Sequence, residues 1–133
     1  MDILKNIEYY KEKITISQVV SFFERNDIHF TKSMIQNYGK LNVIPPLNEK
    51  RYYTKKHLAA LVLIHYLKQI YSLDEIKSLF GTAFLEESTE WQTLYDKFVY
   101  VYNEEEKKED KDIFELAVES IVIKQKVSNK LLQ

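Results

Sequence analysis

Cysteine is absent from the 133 residues. That excludes disulfides, thiol nucleophiles and cysteine-ligated zinc together, and it fits the reducing cytoplasm, the expected location. Glycine and proline occur only twice each. So few sharp turns are available, and the chain is expected to be mostly helix. The two glycines are far apart, which leaves no glycine-rich loop for phosphate. Long apolar runs are missing as well. The greasiest stretch, Leu58 to Leu67, contains His65 and falls well short of the roughly 20 residues a bilayer span needs. Met-Asp-Ile-Leu-Lys opens the chain with an early acid and no apolar core behind it, so no signal peptide is expected.

What is present suits one soluble domain, with 45% apolar and 29% charged residues. The net charge of −1 argues against a polyanion partner, but its distribution does not. Residues 1–30 hold four bases and five acids. Residues 31–73 hold Lys32, Lys40, Lys50, Arg51, Lys55, Lys56 and Lys68 against Glu49 alone. Residues 74–133 hold eight bases and fourteen acids. Screening removes charges beyond about 8–10 Å, so local potential decides, and a basic middle is compatible with DNA. The plain alternative is chance clustering on a solvated face.

Along the chain, Ile3, Leu4 and Ile7 predict a short N-terminal helix over 1–13. Thr15-Ile16-Ser17-Gln18 matches a capping box, with Val19, Val20, Phe22 and Phe23 as the buried stripe and Asn26-Asp27 as the stop. Thr31 is a second N-cap. Met34, Ile35, Tyr38 and Leu41 share one face of the helix it starts, while Lys32, Ser33, Gln36, Asn37 and Lys40 take the other. Two short helices joined by a turn make a helix-turn-helix candidate. Val43-Ile44 is β-prone and Pro45-Pro46 ends any helix. Arg51-Tyr52-Tyr53 can return beside Val43-Ile44, which predicts a small two-stranded wing. Thr54 caps a central apolar helix to about Tyr71. Ser72-Leu73-Asp74-Glu75 is another capping box, and Gly81 is a stop. Beyond it, Trp91 to Tyr102 and Ile113 to Val122 form two apolar stripes separated by the charge run Glu104–Asp112. These predict a helical hairpin.

The polar face Lys32/Ser33/Gln36/Asn37/Lys40 suits a major groove, where Gln and Asn can pair bidentately with adenine. Any surface helix has a polar face, so its place before a basic turn is what lifts the signal. Lys50, Arg51, Tyr53 and Lys55 suit phosphate contact. Neighbours on a strand face opposite ways, so one of Tyr52 and Tyr53 is expected to pack inward. His57 and His65 are eight apart with no converging ligand, so no metal is expected. The 104–112 stretch lacks calcium-loop spacing. Neither a catalytic constellation nor a cofactor site stands out, and no enzyme activity is expected. Trp91 and the tyrosines after it read as core or a dimer seam, with a ligand pocket as the alternative.

These pieces resemble a known family. Ile35-Gln36-Asn37-Tyr38-Gly39-Lys40-Leu41-Asn42-Val43-Ile44-Pro45-Pro46 looks like the stretch of MerR-type transcription regulators in which Leu-Arg-Tyr-Tyr-Glu leads to Gly-Leu-Leu-x-Pro. Arg51-Tyr52-Tyr53-Thr54 resembles the Arg-x-Tyr end of their wing. Tyr71-Ser72-Leu73-Asp74-Glu75-Ile76 resembles their Phe-Ser-Leu-x-Glu-Ile, and Thr15-Ile16 with Gln18-Val19 resembles the opening of their first helix. Gln36 and Asn37 stand where that family usually has Arg and Tyr, and the wing is shorter. The likeness is closer still to an uncharacterised bacterial MerR-like group of domain-of-unknown-function type. The resemblance implies a winged helix-turn-helix, a homodimer and promoter DNA.

The resulting expectation is an all-α protein: an N-terminal helix over 1–13, a MerR-like winged helix-turn-helix over 14–81 with a short two-stranded wing, and a helical hairpin over 82–133 that pairs two chains. Lys32, Ser33, Gln36, Asn37, Lys40, Lys50, Arg51, Tyr53 and Lys55 are the expected DNA-binding residues. No membrane partner is expected, and a small-molecule effector is left open. The rival expectation is a protein–protein module on the same scaffold.

Overall fold

The computed structural model describes residues 13–47, 52–104 and 110–132. The helix expected over 1–13 lies almost wholly outside them. The described residues form six helices: α1 Ile16–Arg25, α2 Lys32–Lys40, α3 Lys55–Leu67, α4 Leu73–Phe80, α5 Glu90–Tyr102 and α6 Ile113–Leu131. The all-α expectation holds for them.

Local chemistry fixes most of the boundaries. At α1 the Thr15 hydroxyl accepts from the Gln18 amide (3.2 Å), and the Gln18 side chain accepts from the Thr15 amide (2.8 Å). Each bond satisfies an amide that a helix start otherwise leaves unpaired. Ser72 and Glu75 repeat this at α4, at 3.1 and 2.9 Å. Asp112 and Glu115 repeat it at α6, at 2.8 and 3.2 Å. Bonding to the Ser72 backbone and hydroxyl holds the Glu75 carboxyl below its usual range.

The ends of α1 and α2 are built alike. Asp27 and Asn42 take φ of 60° and 58°, the left-handed region where Asp and Asn are better tolerated than most residues. Ile28 then donates to the Phe23 carbonyl (2.8 Å) and Asp27 to Glu24 (3.1 Å). Val43 donates to Tyr38 (3.0 Å) and Asn42 to Gly39 (3.1 Å). Both are Schellman closures, which turn the chain sharply and tuck the next apolar residue inward. Ile28 and Val43 are accordingly buried.

This corrects the expected wing. The Val43 and Ile44 amides both point at the Tyr38 carbonyl, so neither serves a β-ladder toward Arg51-Tyr52-Tyr53. Tyr53 pairs instead with Ile14, as one isolated antiparallel bridge with bonds of 3.0 and 2.7 Å. Among the described residues there is no strand, and Asn48 to Arg51 lie outside them.

One core runs through both halves of the chain. Helix α3 is its axis: every residue from Leu58 to Ile64 is fully buried. The small Ala59 and Ala60 allow close approach. Phe23 meets Phe30 edge-to-face at 4.8 Å between ring centroids on the helix-turn-helix side. Tyr66 meets Phe98 at 5.4 Å on the hairpin side. Helices α5 and α6 pair with each other and rest on α3. The residues beyond Gly81 are thus part of the same body as those before it.

Candidate nucleic-acid interface

Helix α2 projects its polar residues together. At about 100° per residue, Lys32, Ser33, Gln36, Asn37 and Lys40 fall within an arc of about 140°. All five are exposed. Ile35 and Tyr38 lie on the opposite side, at 0% and 3% exposure, and belong to the buried core, with α2 packed on α1. The arrangement resists rolling, because turning the polar face inward would lift Ile35 and Tyr38 into water. Burying side chains of this size is worth roughly 1.5–3 kcal/mol each.

The remaining expected contacts are less uniform. Lys50 and Arg51 lie outside the described residues. Lys55, in the first turn of α3, is half-buried. Tyr53 differs from expectation. It is 3% exposed, its ring packs edge-to-face on His57 at 5.1 Å, and burial raises its pKa. Pairing with Ile14 turns its side chain into the core, so its hydroxyl is no surface phosphate ligand. The half-buried Tyr52 is its alternating neighbour.

Two further bases of the central third are engaged elsewhere. The Lys56 ammonium donates to the carbonyls of Leu85, Glu86 (3.2 Å) and Ser88 (2.9 Å) and so caps the loop after Gly81. Burial lowers its pKa, with the Glu86 carboxylate opposing. Lys68 donates to the Tyr38 hydroxyl at 3.0 Å, behind the polar face. Sequence could not separate these lysines from Lys32 and Lys40, because their partners are about 30 positions away.

His57 is the residue whose role the sequence hid. It is 4% exposed. Its Nδ1 lies 3.1 Å from the Thr54 amide, which must donate, so Nδ1 is the acceptor. Nε2 therefore carries the hydrogen and donates to the Pro45 carbonyl at 3.0 Å. The ring occupies the third helical position, where Gln and Glu stand in the other capping boxes. Burial drives its pKa down to about 4, despite the opposing bond to Pro45. His57 ties the start of α3 to Pro45, and the bridge ties Tyr53 to Ile14.

A groove of about 510 Å³ lies beside α2. Ile35, Ile44, Pro45, Pro46, Leu47 and Tyr53 give it an apolar lining, with Gln36 and Lys40 at its edge. The Trp91–Tyr102 stripe belongs to the core: Tyr95, Phe98 and Val101 are buried, and Trp91, Leu94 and Tyr102 pack on them. Among the described residues no three His, Asp or Glu side chains come together as metal ligands, and no helix is long and apolar enough to cross a membrane.

No curated protein matches the chain, and no solved structure does. A family model does match residues 4–98, from before α1 to within α5, and its description is Domain of unknown function (DUF1836). That match spans well over half of the sequence, so the protein belongs to the DUF1836 family.

Proposed function

We propose that the protein is a DNA-binding transcription regulator on a MerR-like helix-turn-helix scaffold, acting on duplex promoter DNA as a homodimer. The observation that carries this reading is the α2 face: Lys32, Ser33, Gln36, Asn37 and Lys40 all exposed on one side of a helix locked by Ile35 and Tyr38. Helix α2 is the second of two short helices joined by a six-residue turn, the position of a recognition helix. Gln36 and Asn37 supply donor–acceptor pairs for base edges, and Lys32 and Lys40 supply phosphate contacts. Lys50 and Arg51 add two bases in the sequence shortly after Pro45-Pro46. Tyr53 is removed from the contact set.

Titrating a mixed-sequence duplex by fluorescence anisotropy over a range of salt tests this. Affinity should fall as salt rises, with a slope reporting the phosphates neutralised. A salt-independent signal, or none at low salt, overturns it.

The second reading is a protein–protein module. It draws on the apolar groove beside α2 and on the engagement of Lys56 and Lys68 away from that face. Under it, a partner isolated with the protein survives nuclease treatment and high salt.

A further inference from the structure

A groove between α4 and α6 has a lining that the core does not use up. Tyr71, just before α4, then Asp74 with Glu75, then Ser78 recur at helical spacing and make one wall. Ile113, then Leu116 with Ala117, then Ser120 repeat that spacing on α6 and make the other. Seven residues of helix give each wall a length of about 10 Å. The groove encloses about 490 Å³, a volume in the range of small-molecule sites. Its apolar part includes Leu79, half-buried, and Leu116, which is 52% exposed.

The polar groups of this groove all favour one sign of charge. Asp74 and Glu75 are exposed carboxylates, and among the described residues no lysine or arginine lines the groove. The bases nearest in sequence are turned elsewhere: Lys77 donates to the Leu41 carbonyl at 3.3 Å, and Lys111 donates to Glu119. Glu75 Oε1 accepts from the Ser72 amide at 2.9 Å, which fixes the side chain and keeps its carboxyl ionised. Tyr71 is half-buried and supplies a ring whose face attracts a cation and repels an anion. The Ser120 hydroxyl donates to the Leu116 carbonyl at 2.9 Å, so what it still offers a ligand is an acceptor. A bare metal ion does not suit the site, because no three His, Asp or Glu side chains converge among the described residues and the floor is apolar.

We propose that this groove binds a small amphipathic amine, its apolar body on Leu79, Leu116 and Ala117 and its ammonium at Asp74 and Glu75. Such a ligand has the two properties the lining asks for: carbon surface to cover the floor and one positive charge at the acidic wall. Helix α4 closes the helix-turn-helix part and α6 belongs to the hairpin, so a bound amine ties the two parts together, as suits an effector. Binding at this site depends neither on DNA nor on pairing of chains.

The test uses the full chain and three probes with one apolar body: phenylhexylamine, phenylhexanol and phenylhexanoate. Amide chemical shifts of the isotope-labelled protein are followed as each is added. The amine should shift residues 71–79 and 113–120 and bind about tenfold more tightly than the acid, with the alcohol between them. Asp74→Asn should weaken the amine about threefold and leave the alcohol unchanged. Leu116→Gln should weaken all three. Both positions are exposed, so circular dichroism and melting should show the fold retained in each variant. Equal binding of the three probes, tighter binding of the acid, shifts confined to other residues, or no binding at millimolar concentration overturns the inference. So does a Leu116→Gln variant that changes oligomeric state while no probe binds, because a second chain then covers the groove. DNA titration of the same proteins is scored separately, so an amine site without DNA affinity defeats only the regulator reading.

Discussion

His57 and Pro45 are joined by a hydrogen bond of 3.0 Å across twelve residues of sequence, and both groups are buried. Nε2 carries the hydrogen that the Pro45 carbonyl accepts, and the ring is neutral because Nδ1 accepts from the Thr54 amide. A protonated ring would point a donor at that amide. The side chain thus works as a buried clasp between the exit from α2 and the start of α3.

Stability should therefore depend on pH in a defined window. The folded pKa of His57 is about 4, below the ordinary value of 6.5. As pH falls, the unfolded chain takes up the proton first. The contribution is complete above about pH 6.5 and is lost as pH falls to about 4, amounting to about 3 kcal/mol in all. Urea unfolding at several pH values should show this decline. His57→Ala should lower stability at pH 7.5 and flatten the curve across the window. An equally steep curve in that variant would assign the pH effect elsewhere.

The two glycines should respond in opposite directions. Gly81 ends α4 at φ 56°, ψ −125°, where an L side chain is strained even though an added methyl would meet no neighbour within 4 Å. Gly81→Ala should cost about 1–3 kcal/mol. Gly39 lies within α2, and a Cβ there also meets nothing within 4 Å. Gly39→Ala should stabilise by about 0.5–1 kcal/mol, because alanine loses less backbone freedom in a helix. Thermal melts of the two variants, run side by side, decide both signs.

Because α3 carries aromatic layers on both sides, the described helices should unfold as one unit. Phe23→Ala, in the helix-turn-helix part, and Phe98→Ala, in the hairpin, both remove rings that are 0% exposed. Each should cost about 3–5 kcal/mol and shift a single transition. Calorimetry showing two transitions, with each variant moving only one, would separate the halves.

Features set by neighbouring residues were readable from sequence. Thr15 with Gln18, Ser72 with Glu75, and the polar arc of α2 all follow from spacings of three or four, which a helix converts directly into proximity. What escaped depends on distant partners. Tyr53 looked like half of a local hairpin, but its strand partner is Ile14, and Val43 had already committed its amide to closing α2. Lys56 counts in sequence as one more base of the central third, but its ammonium is held by the loop carbonyls of Leu85, Glu86 and Ser88. In α6 the apolar residues read as one stripe, yet burial divides them, sending Phe114 and Ile121 inward and Ile113 and Leu116 outward. A hydropathy pattern marks both faces and cannot say which of them the chain itself covers.

That same division among the lysines yields the sharpest test of the proposed interface. Lys32 and Lys40 are exposed on α2, whereas Lys56 is held by backbone carbonyls of the loop after α4. If α2 meets DNA, Lys32→Ala and Lys40→Ala should each weaken binding across all sequences and reduce the salt slope by about one unit. Gln36→Ala should instead relax base preference at one position, by about 1–3 kcal/mol, with little change in slope. Lys56→Met should leave the slope unchanged and cost about 1–3 kcal/mol of fold stability, because three carbonyls lose a charged donor. Tyr53→Phe should leave DNA affinity unaltered, since its hydroxyl sits in the core. Equal loss of affinity from Lys56→Met and Lys40→Ala, in proteins shown to be folded, would mean that the cation count matters and the α2 face does not.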